Sequence, residues 1–304
     1  MQAVIDIGTN SVLLLVGEIG PEGAISRVED RIKVTRLGEG LSESGRISDE
    51  AAERTLLALR EYRDICISHR AESIALVGTF ALRTASNSAD FLMVARRELG
   101  LEIEIISEER EAALTFKGSS RCFGDDIVLC DIGGGSTEFA TTKEGGRVEF
   151  ASIPIGCVSL TERFLRGDPE KDEEIHNLRR EVRKRLEEGL NPELFARPHD
   201  RRFVATAGTA TTLMSMKLEL PSYETEKVHA STLKIDGLRD LIDAVRVKKL
   251  GERRKIAGLP PERADVILAG AELLQETMSF LGYTDALISD RGVRWGLFYE
   301  KFCS

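Results

Sequence analysis

One six-residue pattern occurs twice and limits the chain more than any other feature. Asp6-Ile7-Gly8-Thr9-Asn10-Ser11 and Asp131-Ile132-Gly133-Gly134-Gly135-Ser136 both read Asp-Ile-Gly-x-x-Ser. Each follows an apolar run, Val4-Ile5 in one case and Ile127-Val128-Leu129-Cys130 in the other, that reads as a buried strand. Further along each half, Ile74-Ala75-Leu76-Val77-Gly78-Thr79 resembles Phe203-Val204-Ala205-Thr206-Ala207-Gly208-Thr209. Two features in the same order in each half point to a duplicated domain, at a period far longer than that of solenoid repeats. Two similar α/β domains facing each other would place both Asp-Ile-Gly turns on opposite walls of one interdomain cleft, able to grip a phosphate chain from both sides.

The chemistry of the pattern follows from its residue types. Glycines let the backbone turn sharply and bring N–H groups to one point, and such groups, with hydroxyls, suit phosphate oxygens. Gly8, Thr9, Asn10 and Ser11, and Gly133, Gly134, Gly135 and Ser136, are therefore candidate phosphate-binding residues. Carboxylates need a cation between them and a phosphate. Asp131 and Glu138 are candidates for holding magnesium, an oxygen-ligand ion that pairs with phosphate, and Asp6 is the matching acid of the first copy. A hairpin with a glycine turn and solvated acids is the competing structural reading of either stretch alone.

Composition sets outer limits. The chain has 304 residues, enough for two domains, and 42% hydrophobic and 31% charged residues suit a soluble globular protein. A net charge of −9 argues against nucleic acid or an anionic membrane as partner, so an anionic substrate must be captured by local groups. Five scattered cysteines without a Cys-x-x-Cys pair read as reduced thiols of a cytoplasmic protein. The N-terminus lacks the pattern of a signal peptide, and no stretch approaches the roughly 20 apolar residues of a membrane helix. The four histidines show no ligand spacing.

Along the chain, strands are expected at 3–7, 12–16 and 24–34, with a hairpin turn at Gly20–Gly23, then a glycine-containing loop at 36–40. Ser48 caps a helix running to about His69. A strand at 73–77 leads into a loop, 78–84, carrying Arg83 just beyond a strand end, where ligands of α/β folds usually sit; an ordinary surface arginine is the alternative. A helix from about Ser88 stops at Gly100, and 101–106 reads as a strand. Ser107 caps a helix, Glu108 to about Lys117, whose first-turn acids Glu108 and Glu109 suit the helix dipole. Glu111 is less easily explained that way, although a solvated acid fits it locally. The crossing between domains is expected at 118–126.

The second meander is expected through 139–142 and 147–155, turning at Gly145-Gly146, with helices at 157–165 and, opened by Asp168-Pro169, to about Leu190. The charges of that last helix read as a solvated face. Phe203–Ala207 is a strand, followed by Gly208 and Thr209 opening a helix whose N-terminus suits phosphate or ribose. Helices at 236–250 and 263–281, a strand at 286–288 and a closing helix at 291–302 complete the chain.

The order Asp6–Ser11, Leu82-Arg83, Ser107 through Glu111-Ala112, Asp131–Glu138 and Ala207-Gly208-Thr209 resembles the exopolyphosphatase and guanosine pentaphosphate phosphohydrolase (Ppx/GppA) family over nearly the whole chain. The resemblance implies two duplicated actin-like (ribonuclease H-like) α/β domains of the actin, sugar kinase and Hsp70 superfamily. They would span 1–122, joined by the closing helix 291–304, and 123–290. It implies Glu111 as the base acting on water, Arg83 as the arginine on the reacting phosphoryl, and the two turns with Gly208 and Thr209 as phosphate sites. Asp131 and Glu138, with Asp6, would hold Mg2+ or another divalent cation. Glu111 keeps its place although Glu108 and Arg110 replace the family's glycine and first glutamate. Longer members carry a C-terminal HD-like domain that a chain of this length is expected to lack. The implied substrate is inorganic polyphosphate, with guanosine pentaphosphate as the alternative and a homodimer left open. A phosphotransferase or a nucleotide- or polyphosphate-sensing protein are other readings of the same fold.

Overall fold

The computed structural model describes residues 1–20, 24–143 and 145–303. The chain divides into two compact units, Met1–Gly118 with Val293–Ser304, and Ser119–Gly292. In the first, β1 (Gln2–Ile7), β2 (Ser11–Ile19) and β3 (Ile25–Val34) form an antiparallel meander. Strands β4 (Ser73–Gly78) and β5 (Glu104–Ile105) then add in parallel on the other side of β1, giving the order β3-β2-β1-β4-β5. The second unit repeats the plan. Strands β6 (Ile127–Ile132), β7 (Thr137–Thr142) and β8 (Val148–Ile153) form its meander, and β9 (Arg202–Thr206) joins parallel to β6. Beyond β9 lie β10 (Thr232–Lys234) and β11 (Asp285–Ile288), in the order β10-β11-β9-β6-β7-β8. The duplicated α/β architecture read from the repeated pattern is what the chain adopts.

The central strands are apolar runs because they are covered on both faces. In the first unit, Leu56, Leu59 and Tyr62 of the helix Asp49–Ser68 pack on one side with Ile5, Ile7 and Leu14. Ser48 caps this helix by accepting the Ala51 N–H at 3.2 Å. On the other side, Trp295, Leu297 and Phe298 of the closing helix Val293–Phe302 pack with Val4, Leu15, Val77 and Leu114. The closing helix is pinned by Arg294, which donates two 3.1 Å hydrogen bonds to Asp30. In the second unit the helix Ile267–Leu281 is buried along most of its length. No helix of the described residues is long and apolar enough to cross a membrane.

Several local expectations are corrected. The segment leaving β4 is a short helix, Phe80–Thr84, rather than a loop, which buries both Ala81 and Leu82. The strand expected at 101–106 shrinks to Glu104–Ile105, because only Val77 and Gly78 of β4 pair with it. The helix begun at Glu108 runs on to Phe123, so most of the expected crossing is helical; it breaks at Gly124, which has φ +74°. Asp168-Pro169 opens no helix. Asp168 accepts the Leu250 N–H at 2.6 Å, and the helix starts at Asp172. The charges of that helix are not all solvated: Arg179 donates twice to Glu272, which is fully buried, and Arg183 pairs with buried Glu276. Burial pushes the Glu272 carboxyl up, against the pull of Arg179. The helix expected at 236–250 ends at Arg246, and that expected at 263–281 starts at Ile267. Of the first hairpin turn, Pro21–Gly23 lie outside the described residues.

Gly296 lets the closing helix touch the backbone of the helix Glu108–Phe123: a Cβ there would lie 1.8 Å from the Leu114 carbonyl oxygen. Backbone cannot swing aside as a side chain can, so Gly296→Ala is expected to lower stability by about 1–3 kcal/mol. Gly251→Ala, with nothing within 4 Å of its Cβ, is the control and should be neutral or slightly stabilising. Urea midpoints of the two variants check this.

His229 supplies a pH-dependent contribution. Burial pulls its imidazole down, but hydrogen bonds to Asp290 and Cys122 outweigh burial and push it up to about 9. A raised folded value means stabilisation that is full below the ordinary value of 6.5 and is lost as pH rises through about 9. The shift corresponds to at most about 3 kcal/mol. Unfolding of the wild type and of His229→Gln at pH 6 and pH 9.5 is expected to show the difference between them shrinking at the higher pH.

Candidate active site

Both Asp-Ile-Gly stretches build the same turn. Gly8 N–H donates to the Ser11 carbonyl and Gly133 N–H to the Ser136 carbonyl, each at 3.0 Å. Side-chain carbons at Gly8 and Gly133 would sit 3.1 and 3.0 Å from those oxygens, which explains the glycines. Each turn is braced by the segment after the third strand of its unit. The Thr9 carbonyl accepts the Gly38 N–H at 2.9 Å, and the Asn10 carbonyl accepts the Thr35 and Arg36 N–H groups at 3.0 Å. In the second unit the Gly134 carbonyl accepts from Val158 and Ser159, and the Gly133 carbonyl from Cys157. The approach is close: a Cβ on Gly38 would lie 2.3 Å from Thr9 Cγ2, and one on Gly156 2.5 Å from the Gly134 carbonyl. Arg36 holds φ +54° to make its contact, a strained value for a side chain of that size.

With these contacts made, the backbone carbonyls of Thr9 and Asn10 are already engaged. The Asn10 side chain is buried, and neither its amide nitrogen nor its oxygen has a hydrogen-bond partner among the described residues. Such a group costs free energy unless something else meets it.

Arg83 and Glu111 are brought together. Arg83 comes from the short helix after β4, and Glu111 from the first turn of the helix capped by Ser107, whose Oγ accepts the Arg110 N–H at 3.2 Å. Arg83 Nη1 donates to the Ile106 carbonyl at 2.9 Å and to Glu111 Oε2 at 3.1 Å. Its Nη2 is buried with no hydrogen-bond partner among the described residues, the nearest acid being Glu108 at 3.6 Å. The arginine thus fixes the carboxylate with one nitrogen and holds another in reserve.

In the second unit Asp131 and Glu138 stand directly opposite each other in the β6–β7 ladder, on one face, and both are buried. Ser152 Oγ donates to Glu138 at 3.3 Å. Asp6 holds the equivalent place in the first unit, but its partner in the ladder is Leu13. Among the described residues no three His, Cys, Asp or Glu side chains form a metal cage. Two carboxylates with oxygen donors still fit magnesium, which keeps waters and takes phosphate oxygens to complete its shell.

Gly208 and Thr209 open the helix Ala207–Lys217, yet their side-chain positions face inward. Thr209 hydrogen-bonds Cys157 and packs where Gly270 has no side chain, and Gly208 lies against the Arg263 guanidinium. Only backbone donors remain there for a ligand. Two residues that pack against these turns were missed in the sequence, Gly156 and Arg263, whereas Gly38 lies in the glycine-containing loop expected at 36–40. A glycine shortly after the third strand in both halves was a usable signal; nothing local marks Arg263.

The sequence profile of the Ppx/GppA phosphatase family matches residues 15–304. The chain is 34% identical to exopolyphosphatase 2 of Mycobacterium tuberculosis, over 97% of this chain and 96% of that protein. The crystal structure of the Aquifex aeolicus Ppx/GppA family member superposes with a TM-score of 0.81 at 31% identity, covering 99% of this chain and 97% of that one. That of an exopolyphosphatase-like protein superposes with a TM-score of 0.90 at 27% identity, over 98% of this chain and 96% of that one. With its two actin-like units and their paired Asp-Ile-Gly turns, the chain belongs to the Ppx/GppA phosphatase family.

Proposed function

We propose that the protein is an exopolyphosphatase, releasing terminal orthophosphate from inorganic polyphosphate by attack of a water that Glu111 deprotonates. The observation that carries this reading is the Arg83–Glu111 pair with its spare buried guanidinium nitrogen. A cation and a base held 3.1 Å apart suit a reacting phosphoryl group and its attacking water. The M. tuberculosis relative, matched over nearly its full length, carries the name exopolyphosphatase.

Hydrolysing a phosphoanhydride is mainly positioning and charge neutralisation. Glu111 orients the water and takes its proton. Arg83 holds Glu111 in place through one nitrogen while Nη2 meets an oxygen of the reacting phosphoryl. Backbone donors of each turn, with the Asn10 amide and Ser11 hydroxyl in the first unit and the Ser136 hydroxyl in the second, suit phosphate oxygens. Asp131 and Glu138 would hold Mg2+, which would supply positive charge against the phosphates; Asp6 is the acid at the equivalent place of the first unit. No covalent enzyme intermediate is needed.

Phosphate release from polyphosphate, guanosine pentaphosphate and ATP, with and without an acceptor alcohol, tests the reading. Polyphosphate should be the best substrate and an alcohol should not divert the phosphoryl group. Preference for guanosine pentaphosphate would reassign the substrate, and transfer to the alcohol would make the protein a kinase. Glu111→Gln should lower kcat by about 10²–10⁴-fold with substrate binding near normal or tighter, since a negative charge leaves a polyanion site. Glu108→Gln and Glu109→Gln should cost at most about 1 kcal/mol of stability and little rate. Wild-type kcat in the Glu111 variant would end the assignment. Asp131→Asn and Glu138→Gln should raise the Mg2+ concentration needed for half-maximal activity by tenfold or more, with folding unchanged; titration of each variant with Mg2+ checks it.

A further inference from the structure

None of the chemistry above uses the most basic stretch of the second unit. Between Arg246 and Lys255 six of ten residues are basic and one, Glu252, is acidic, in a chain of net charge −9. Acids packed against this segment are already engaged. Asp172 pairs with Arg246, and Glu170 with Arg253, which is buried and also donates to the Val245 carbonyl at 3.0 Å. Asp168 accepts the Leu250 N–H at 2.6 Å and Glu252 the Lys249 N–H at 2.9 Å. Lys248, Lys249, Arg254 and Lys255 remain, and none of their side chains has an ion pair among the described residues. Lys249, Arg254 and Lys255 are exposed and Lys248 is half-buried.

The backbone beneath these cations is held in place. Buried Arg253 ends the short helix Leu250–Arg253, and Gly258 beyond it sits so close that a Cβ would lie 2.2 Å from the Ser215 carbonyl oxygen. Neighbouring helices locate the segment within its unit. Gly237, at the start of the helix Ile235–Arg246, lies against Lys217, the last residue of the helix Ala207–Lys217. Arg246, at the other end, meets Asp172 at the start of the helix Asp172–Gly189. That helix runs parallel to Ile267–Leu281, since Arg179 and Arg183 meet Glu272 and Glu276 in order. Gly270, near the start of Ile267–Leu281, lies against Thr209. The basic segment therefore lies toward the end of the unit where β9 finishes at Thr206, the ladder partner of Asp131.

Four unpaired cations on a fixed backbone suit a ligand that repeats its negative charge. Lysine binds phosphate as a point charge, and arginine adds a two-pronged donor. Residues 246–258 include no aromatic ring on which a nucleobase could stack. Val247 is the one exposed large apolar side chain there, too little for a lipid surface. Inorganic polyphosphate, charged at every link, has a higher charge density than either. We propose that Lys248, Lys249, Arg254 and Lys255 form an exosite for the distal phosphates of a polyphosphate substrate. The exosite rests on the exopolyphosphatase reading and adds to it a preference for long chains. Contacts there are the same before and during the chemical step, so they lower KM and leave kcat alone.

The experiment measures phosphate release by the whole protein from long polyphosphate and from tripolyphosphate. One variant combines Lys248→Gln, Lys249→Gln, Arg254→Gln and Lys255→Gln, side chains with no ion pair to lose. Its KM for long chains should rise about tenfold or more and depend less on salt, with kcat and both tripolyphosphate constants unchanged. A second variant removes four exposed cations elsewhere, Arg31→Gln, Arg96→Gln, Arg97→Gln and Arg147→Gln, and should leave every KM within about twofold of wild type. An unchanged long-chain KM in the first variant overturns the exosite. So does an equal rise for tripolyphosphate, or in the second variant, since either marks a general field. Should the wild type release no phosphate from polyphosphate, the activity reading fails, and equilibrium binding of long polyphosphate without divalent metal decides the exosite by itself. Binding about tenfold weaker in the first variant supports it, and equal binding overturns it. Single-stranded RNA of equal charge should compete less well than polyphosphate in that assay; equal or better competition overturns the proposal in favour of nucleic acid.

Discussion

A single hydrogen bond, from the third residue of each Asp-Ile-Gly turn to the carbonyl of its sixth, decides where each candidate phosphate loop can be. It reverses the chain immediately after a buried strand, at the same 3.0 Å in both units. One such bond contributes only about 1 kcal/mol. Its force comes from what it fixes: β1 and β2, and β6 and β7, are held in a register that puts the aspartate at a strand end rather than mid-sheet. Once the carbonyls of Thr9, Asn10, Gly133 and Gly134 are taken by the following segment, the turns have acceptors spent and donors to offer. A loop made this way favours anions on backbone geometry alone, despite a chain of net charge −9.

The duplication is not symmetrical, and the difference is chemical. Where the second unit sets Glu138 against Asp131, the first sets Leu13 against Asp6. Like charges directly opposite in an antiparallel pair destabilise a sheet. At about 5 Å and an effective dielectric of about 20, their repulsion is on the order of 3 kcal/mol. The neighbouring Cys130 registers this field: burial raises its thiol well above the usual range, and both carboxylates push in the same direction. A divalent cation converts that liability into a binding site. The second unit is therefore the better candidate for the metal, and Asp6 alone is a weaker ligand set.

The fold was legible where a pattern repeated. Two hexapeptides that share Asp-Ile-Gly-x-x-Ser, with similar strand and helix signals around each, are enough to recognise one domain built twice, and the apolar runs of β1 and β6 are buried in both units. Capping chemistry was equally readable: Ser48 and Ser107 each accept the N–H three residues on. What escaped was tertiary. The five-residue helix Phe80–Thr84 exists because Leu82 must bury against Gly78, where a Cβ would lie 2.4 Å from its Cδ1. Arg179 and Arg183 look solvated until a distant helix supplies Glu272 and Glu276. Thr209 looks like a phosphate ligand until Cys157 claims its hydroxyl. In each case the deciding partner is remote in sequence.

Arg110 shows how a departure from a family pattern can leave a local geometry intact. It stands next to Glu111, where the family carries an acid. Neighbours on a helix point about 100° apart, so Arg110 turns away from Arg83 and Glu111. It reaches Glu104 of β5 and donates to Glu300 of the closing helix at 2.8 Å. Four residues after Arg110, Leu114 meets Gly296 of that same helix. The start of the helix bearing Glu111 is thus held from two sides. Arg110 and Leu114 tie it to the closing helix, and Arg83, itself bonded to the Ile106 carbonyl, grips the carboxylate. The proposed role of Glu111 needs a fixed backbone beneath it, and an arginine at position 110 supplies an anchor that a glutamate there would turn into repulsion against Glu104 and Glu300.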